Sequence, residues 1–132
     1  MNMVGISGLI ILALTSRAIA AQASERASVN GARLYATYCA DCHGKDGKGP
    51  GPLAQTRGIT VPDLQLLATR NNSVFPLAQV EKLLSGTAQS PVVHGGIEMP
   101  LWGSVLTDGD SDRSARESRA HALARYLESV QK

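Results

Sequence analysis

The stretch Tyr38-Cys39-Ala40-Asp41-Cys42-His43-Gly44 contains both cysteines of this 132-residue chain. Two thiols three positions apart, followed directly by a histidine, can close a redox disulfide, hold a zinc ion or carry a covalently attached cofactor. Each of these functions needs a different sequence context. The surrounding residues therefore decide among them.

The residues before the cysteines favour a helix, because Gly31, Leu34, Tyr35, Tyr38 and Cys42 recur at steps of three and four positions. A thioredoxin-like redox site instead has a strand leading into the motif within a βαβ unit. A structural disulfide is also disfavoured, since a bridge across two intervening residues closes too small a loop to add much stability.

A zinc centre lacks ligands at suitable places in the sequence. Structural zinc takes four ligands, usually cysteine and histidine. Beyond the cysteines the chain offers only His43, which is adjacent to Cys42, and the distant His94 and His121. A zinc centre is therefore disfavoured as well.

A covalently attached haem uses every residue of the motif. On a helix, Cys39 and Cys42 lie one turn apart on one face, so both sulfurs can bond the two vinyl groups of one porphyrin. His43 follows directly and can ligate the iron. Cys-x-x-Cys-His is the attachment signal of c-type haem, so the motif predicts one haem c bound through Cys39 and Cys42.

The first 23 residues predict a targeting segment. An apolar run from Val4 to Leu14 precedes small residues, and cleavage is expected after Ala20 or Ala23. The run is shorter than the roughly twenty apolar residues that span a bilayer. We expect a cleaved signal peptide over 1–23 and export to the periplasm, with a retained membrane anchor as the alternative. Residues 24–132 suffice for one small domain.

The charge balance argues against nucleic acid as a partner. The chain has 13 Lys plus Arg and 11 Asp plus Glu. Loss of Arg17 with the signal segment leaves 12 against 11, a net charge of +1. The local cluster of Arg113, Arg116 and Arg119 can nevertheless create a dipole that the net charge hides.

The chain resembles the class I c-type cytochromes, small monohaem proteins of bacterial periplasms. The stretches GARLYATYCADCHGKDGKG, GIEMPLWG and AHALARYLESV match the family's attachment region, methionine loop and closing helix, in that order. The resemblance implies an all-α cytochrome c fold. Its N- and C-terminal helices cross, and short middle helices and loops surround one covalent haem. It also implies that Gly31 and Tyr35 of the first helix contact Leu123 and Tyr126 of the last helix.

The sixth iron ligand is expected to be Met99, the only methionine that remains after removal of residues 1–23. Met99 lies in a Gly-rich stretch with Pro100 directly after it, and no helical apolar pattern passes through it. His43 and Met99 are therefore the predicted axial ligands, as the resemblance also implies. His94 competes, as a propionate partner, an alternative ligand or a residue of purely structural role.

Two further residues are expected to contact the cofactor. By resemblance, the carbonyl of Pro52 accepts a hydrogen bond from the ring of His43, with Pro50 as the alternative. Trp102, in the same loop as Met99, is the other predicted cofactor-binding residue. His121 is expected on the exposed face of the last helix.

The remaining pattern predicts helices over 28–42, 62–70, 76–85 and 114–131, with loops over 44–60 and 87–107. The predicted function is single-electron transfer without catalysis, between partners such as a dehydrogenase and a terminal oxidase or reductase. A membrane contact is expected only if the signal segment is retained. The alternatives are a haem subunit of a larger oxidoreductase, or a haem sensor or peroxide-reactive cytochrome.

Overall fold

A computed structural model of the chain describes residues 30–87, 99, 102–106 and 113–132. The predicted signal segment, His94 and most of the stretch around Met99 lie outside the described residues. All regular structure in the described residues is helical, which confirms the predicted all-α class. None of the described helices combines the length and the hydrophobicity that a membrane span requires.

Six α-helices and two 3₁₀ turns make up the described part of the chain. The helices are α1 (30–38), α2 (Ala40–His43), α3 (Pro52–Arg57), α4 (Leu77–Leu84), α5 (Trp102–Val105) and α6 (Arg113–Ser129). The 3₁₀ turns are Leu64–Leu66 and Thr69–Asn71. Among the described residues, the predicted helices over 28–42, 76–85 and 114–131 are therefore confirmed, the first of them from residue 30 onward and with an interruption at Cys39.

Helices α1 and α6 are in close backbone contact at Gly31. A Cβ atom at Gly31 would overlap the Ala122 carbonyl oxygen and lie 2.6 Å from Tyr126 Cβ, so only glycine permits this approach. One turn further along α1, the ring of Tyr35 lies 5.3 Å from that of Tyr126. Leu123 is buried in the same core as Tyr35. The predicted contact between the first and last helices is confirmed.

The hydrophobic core joins α1, α4 and α6. On α6 its members recur at steps of three and four residues, because one face of the helix is buried: Ala120, Leu123, Ala124 and Leu127. Leu84 of α4 and Leu106, directly after α5, complete it. Full burial of a leucine side chain contributes roughly 1.5–3 kcal/mol, so this face of α6 holds the helices together.

The predicted helix over 62–70 is wrong, because this segment forms two 3₁₀ turns. Gln131 explains the difference. Its side-chain Nε2 donates to the Leu64 carbonyl at 2.8 Å, and its Oε1 accepts from the Ala68 N–H at 2.8 Å. In an α-helix these two backbone groups would bond each other. The glutamine amide takes the place of that helical hydrogen bond.

Both predicted loops contain a short helix. The loop over 44–60 includes α3, which begins at Pro52, where no N–H is needed, and ends at Gly58 with a left-handed φ of 64°. The loop over 87–107 includes α5, which starts at Trp102. These helices span four and six residues, too short for a periodic apolar pattern to reveal them.

Candidate functional site

Cys39 marks the junction between α1 and α2. Its backbone, with φ of −115° and ψ of −32°, caps the start of α2. The N–H groups of Cys42 and His43 donate to the Cys39 carbonyl at 3.2 Å and 2.8 Å. One helical turn therefore connects the two cysteines and the histidine, which is the arrangement that the motif predicts.

The two cysteines differ in environment. Cys39 is buried, as is His43, whereas Cys42 is half-buried. Burial, with a smaller contribution from the charge of Cys42, raises the pKa of the Cys39 thiol to about 12. A redox-active C-x-x-C site needs a lowered thiol pKa, because the thiolate is the attacking form. The electrostatics therefore argue against a role in disulfide exchange.

The glycine-rich stretch after His43 folds back onto the motif. The Gly49 N–H donates to the His43 carbonyl at 2.8 Å, and the Gly51 N–H donates to the Cys42 carbonyl at 2.7 Å. A Cβ atom at Gly51 would lie 2.5 Å from the Asp41 carbonyl oxygen, so a larger residue would push this stretch away from α2. Glycine is thus required where the backbone passes the turn from Cys39 to His43, the predicted attachment turn.

Tyr35 anchors the same stretch from the core side. Its side chain is buried, and its hydroxyl donates to the Gly44 carbonyl at 2.7 Å. Burial, more than the nearby ionisable groups, raises the pKa of Tyr35 well above its ordinary value. The tyrosine therefore stays neutral and can keep donating this hydrogen bond over the whole physiological pH range.

Pro52 begins α3, the helix that packs on α2. Its carbonyl accepts a hydrogen bond from the Thr56 hydroxyl at 2.9 Å. The Pro50 carbonyl accepts instead from the Gln55 side-chain amide at 2.8 Å. The hydrogen bond from His43 to Pro52 stays a prediction, and so does the role of His94, which lies outside the described residues.

Met99 and Trp102 both pack against the core that contains Cys39. Met99 is half-buried. The ring of Trp102 contacts that of Tyr38, with centroids 6.0 Å apart in an edge-on arrangement. The structure thus brings the predicted sixth ligand and the predicted tryptophan to the same core as Cys39, the first of the two predicted attachment cysteines.

Tyr38 is a part of this site that the sequence pattern alone does not indicate. Tyr38 directly precedes Cys39 in the chain. An aromatic residue at this position of a helix is explained equally well by packing in the core. The contact between the rings of Tyr38 and Trp102 is what connects Tyr38, next to Cys39, with α5, which begins three residues after Met99.

A buried donor in this core tests whether a haem group fits the site. The indole Nε1 of Trp102 is buried and has no hydrogen-bond partner among the described residues. An unpaired buried N–H costs about 1–3 kcal/mol. A haem group brings propionate oxygens that can accept such a bond, and a large apolar ring that extends the core. The residues present therefore fit a haem.

The described residues offer little to a competing metal. Within 30–87, 99, 102–106 and 113–132, no group of three or more His, Cys, Asp or Glu side chains could hold a metal ion. His121 lies exposed on α6, as expected, and its Nδ1 pairs with the Glu81 carboxylate of α4 at 2.6 Å. It does not approach the cysteines as a zinc ligand would.

A comparison with protein-family models identifies the class. The model described as "Cytochrome C oxidase, cbb3-type, subunit III" matches residues 27–116. The chain belongs to this family of c-type cytochromes. The cytochrome is thus a haem-binding electron carrier, and membership implies covalently bound haem c with its iron and redox proteins as partners. No curated protein and no solved structure gives a significant match.

Proposed function

We propose that this cytochrome is a single-electron carrier that shuttles electrons between exported redox proteins and has no catalytic role of its own. Its haem c is attached through Cys39 and Cys42 and ligated by His43 and Met99. The observation that supports this most is the helical turn whose two ends, Cys39 and His43, are buried, with Met99 packed against the same core.

Bound haem c supplies one-electron cycling of its iron between the ferrous and ferric states. Cys39 and Cys42 hold the group through thioether bonds, so it stays with the chain in both states. His43 would ligate the iron through a ring nitrogen, and Met99 would ligate it through its soft thioether sulfur, which would favour the ferrous state and raise the reduction potential. If His43 and Met99 both ligate the iron as proposed, the chain would leave no coordination position open to a substrate.

Other residues of the site hold the group in place. Trp102 would donate its buried indole N–H to a propionate oxygen of the bound haem, which would satisfy the donor that the described residues leave without a partner. Gly51 and Tyr35 fix the stretch after His43 against α2, and so restrict the position of the histidine. By resemblance, Pro52 orients the ring of His43.

Pyridine haemochrome spectra and a redox titration of the purified protein test this function. The expected result is one haem per chain with both vinyl groups saturated, and a reversible transition of one electron. Haem that is extracted by acidic acetone, or a chain that carries none, would contradict the proposal.

Carbon monoxide separates a carrier from a haem sensor or a peroxide-reactive cytochrome. Because Met99 is proposed to stay bound, the reduced carrier should show no spectral change under carbon monoxide. A sensor would bind the gas, since its methionine must dissociate readily.

The second candidate is a haem subunit of a larger oxidoreductase, which the family description favours because it names an oxidase subunit. Size-exclusion chromatography of native and detergent extracts separates the two. A free carrier elutes as a small monomer, whereas a subunit comigrates with a catalytic partner.

Export to the periplasm is also part of the proposal. Mass spectrometry of the secreted chain should find a first residue at Ala21 or Ser24. An intact segment 1–23 in the membrane fraction would instead support the anchor.

A further inference from the structure

The first 3₁₀ turn, Leu64–Leu66, contains a buried amide side chain, that of Gln65. The backbone of this residue is held from two directions. Its N–H donates to the Asp63 carboxylate at 2.8 Å, and its carbonyl accepts from the Lys132 N–H at 3.0 Å. The Gln65 side chain therefore extends from a backbone position that the end of the chain helps to fix.

From this position the 3₁₀ turn bonds the stretch that follows the Cys-x-x-Cys-His motif. Gln65 Nε2 donates to the Asp46 carbonyl at 2.6 Å. The preceding residue, Leu64, donates its N–H to the Gly47 carbonyl at 2.7 Å. Two consecutive carbonyls after the motif are thus bonded to one element that lies almost twenty positions further along the chain.

The bonded stretch is directly connected to His43. The Gly49 N–H donates to the His43 carbonyl at 2.8 Å. Gly47 is buried, and a Cβ atom there would lie 3.6 Å from the Tyr35 hydroxyl oxygen and 3.9 Å from Gln65 Cγ. The chain after His43 therefore runs beside two buried polar side chains, and a shift of either one would move it.

The outer side of the same stretch is held less firmly. There Lys48 Nζ lies 3.3 Å from the Asp46 carboxylate, and both side chains are about half exposed. Exposed ion pairs of this kind contribute little to stability, because water screens the charges and both side chains lose rotational freedom. The bonds on the buried side therefore fix the position of this stretch more strongly.

Packing alone does not explain a glutamine at this buried position. Gln65 Oε1 is buried and has no hydrogen-bond partner among the described residues. A buried acceptor without a partner lowers stability, and a methionine would fill a similar volume without that cost. What the glutamine adds is one directed hydrogen bond, which selects a single arrangement of the backbone where apolar contacts would tolerate several.

We propose that Gln65 is a positioning residue for His43. Through the Asp46 carbonyl it fixes the stretch that bonds the His43 backbone, and so it sets the orientation of the imidazole toward the haem iron. The proposal rests on the proposed electron-carrier function, in which His43 is an axial ligand. It adds a residue outside the motif that controls the geometry of this ligand.

Proton NMR of the oxidised, haem-loaded protein tests the role of Gln65. In ferric haem the chemical shifts of the ring methyl groups depend on the orientation of the axial histidine plane. Gln65→Met should change their spread, whereas the free energy of unfolding in urea should change little, because Asp46 is exposed and its carbonyl can bond water instead. Identical methyl shifts in Gln65→Met and the wild type would overturn the proposal.

Lys48→Gln is the matched control. It removes the charge partner of the Asp46 carboxylate, on the same stretch of chain but at the surface. The methyl shifts of this variant should match those of the wild type. If Lys48→Gln changed them as much as Gln65→Met does, the stretch would respond to any substitution near it, and a specific role of Gln65 would be overturned.

Hydrogen exchange gives a second readout, on the chain itself. The Gly49 amide should exchange roughly tenfold faster or more in Gln65→Met, because its bond to the His43 carbonyl opens more often. In the wild type, the Gln65 side-chain amide should exchange slowly, since it is buried and donates to Asp46. Rapid exchange of that group would overturn the proposal even if Gln65→Met did not fold.

The two proposals fail in distinguishable ways. Covalent haem with normal redox cycling, together with methyl shifts that ignore Gln65, overturns the positioning role alone. A Gln65→Met protein that is less stable but keeps the wild-type methyl shifts shows a purely structural role and overturns it as well. A chain without covalent haem overturns the carrier function itself.

Discussion

Tyr35 combines two tasks at the scale of a single residue. Its ring packs on Tyr126 and so joins α1 to α6, while its hydroxyl holds the Gly44 carbonyl next to His43. Because the hydroxyl is buried, ionisation would place a charge in the core, and this raises the pKa of Tyr35 above its ordinary value. We therefore expect the stability of the attachment region to fall as the pH rises into the alkaline range.

Tyr35→Phe should flatten that pH dependence. A raised pKa in the folded state gives stability that is fully present below the ordinary value of about 10 and falls as the pH rises above it, since the unfolded tyrosine ionises first. At neutral pH the variant should lose about 0.5–1.5 kcal/mol, the net contribution of one hydrogen bond. Urea unfolding at neutral and alkaline pH measures both effects. Equal alkaline slopes in the two proteins would contradict the account.

At the scale of secondary-structure elements, the packing of α1 on α6 depends on a glycine in a helix. Helix propensity alone favours alanine over glycine by about 1 kcal/mol. At Gly31, however, an added Cβ would meet Ala122 and Tyr126. The two effects have opposite signs, and the backbone contact is the larger because neither partner atom belongs to the flexible end of a side chain.

Gly31→Ala should therefore lower the free energy of unfolding, by about 1–3 kcal/mol or more, the usual cost of overpacking. Chemical denaturation followed by circular dichroism measures it. The sign of the change decides, because a gain in stability would mean that propensity dominates and that α1 and α6 are not in close contact.

The end of α6 is tied to the 3₁₀ segment through Gln131. Gln131→Ala should cost about 1–3 kcal/mol, because the Leu64 carbonyl and the Ala68 N–H each lose a partner. The Ala68 amide should also exchange its hydrogen faster. A segment that instead closes into an α-helix would keep Ala68 protected and leave stability unchanged, which would contradict the explanation of the 3₁₀ turns.

How much of this could be predicted from the sequence depended on the distance between interacting residues. The attachment turn from Cys39 to His43 is local, so its spacing predicted it, and the long helix α6 was predicted from its apolar period. The 3₁₀ segment was not, since its form depends on Gln131, more than sixty positions away. The contact of Tyr38 with Trp102 likewise joins positions far apart in the chain.

At the scale of the whole molecule, we expect the haem to complete the core. If residues 1–23 are removed, 132 − 23 leaves 109 residues, and a chain of this size buries only a limited share of its surface. The described core consists of a few leucines and small residues around Tyr35 and Cys39. A covalently held porphyrin adds a large apolar surface to that core, so we expect folding and haem attachment to depend on each other.

Cys42→Ala should abolish normal maturation and leave an unstable chain without haem. Thr37→Ala, at an exposed position two residues before Cys39, is the control and should mature normally. Haem staining after denaturing electrophoresis and circular dichroism report the two properties. Recovery of a fully folded, haem-free Cys42→Ala protein would show that the core does not need the cofactor.

The most direct test of a haem ligated by His43 and Met99 is the far-red absorption of the oxidised protein, compared with that of Met99→Ala. The wild type should show the weak charge-transfer band of thioether-ligated ferric haem. The variant should lose this band and have a lower reduction potential, because the soft ligand that favours the ferrous state is gone. A band that is absent from the wild type, or a spectrum that is unchanged in Met99→Ala, would contradict this ligation and point to His94.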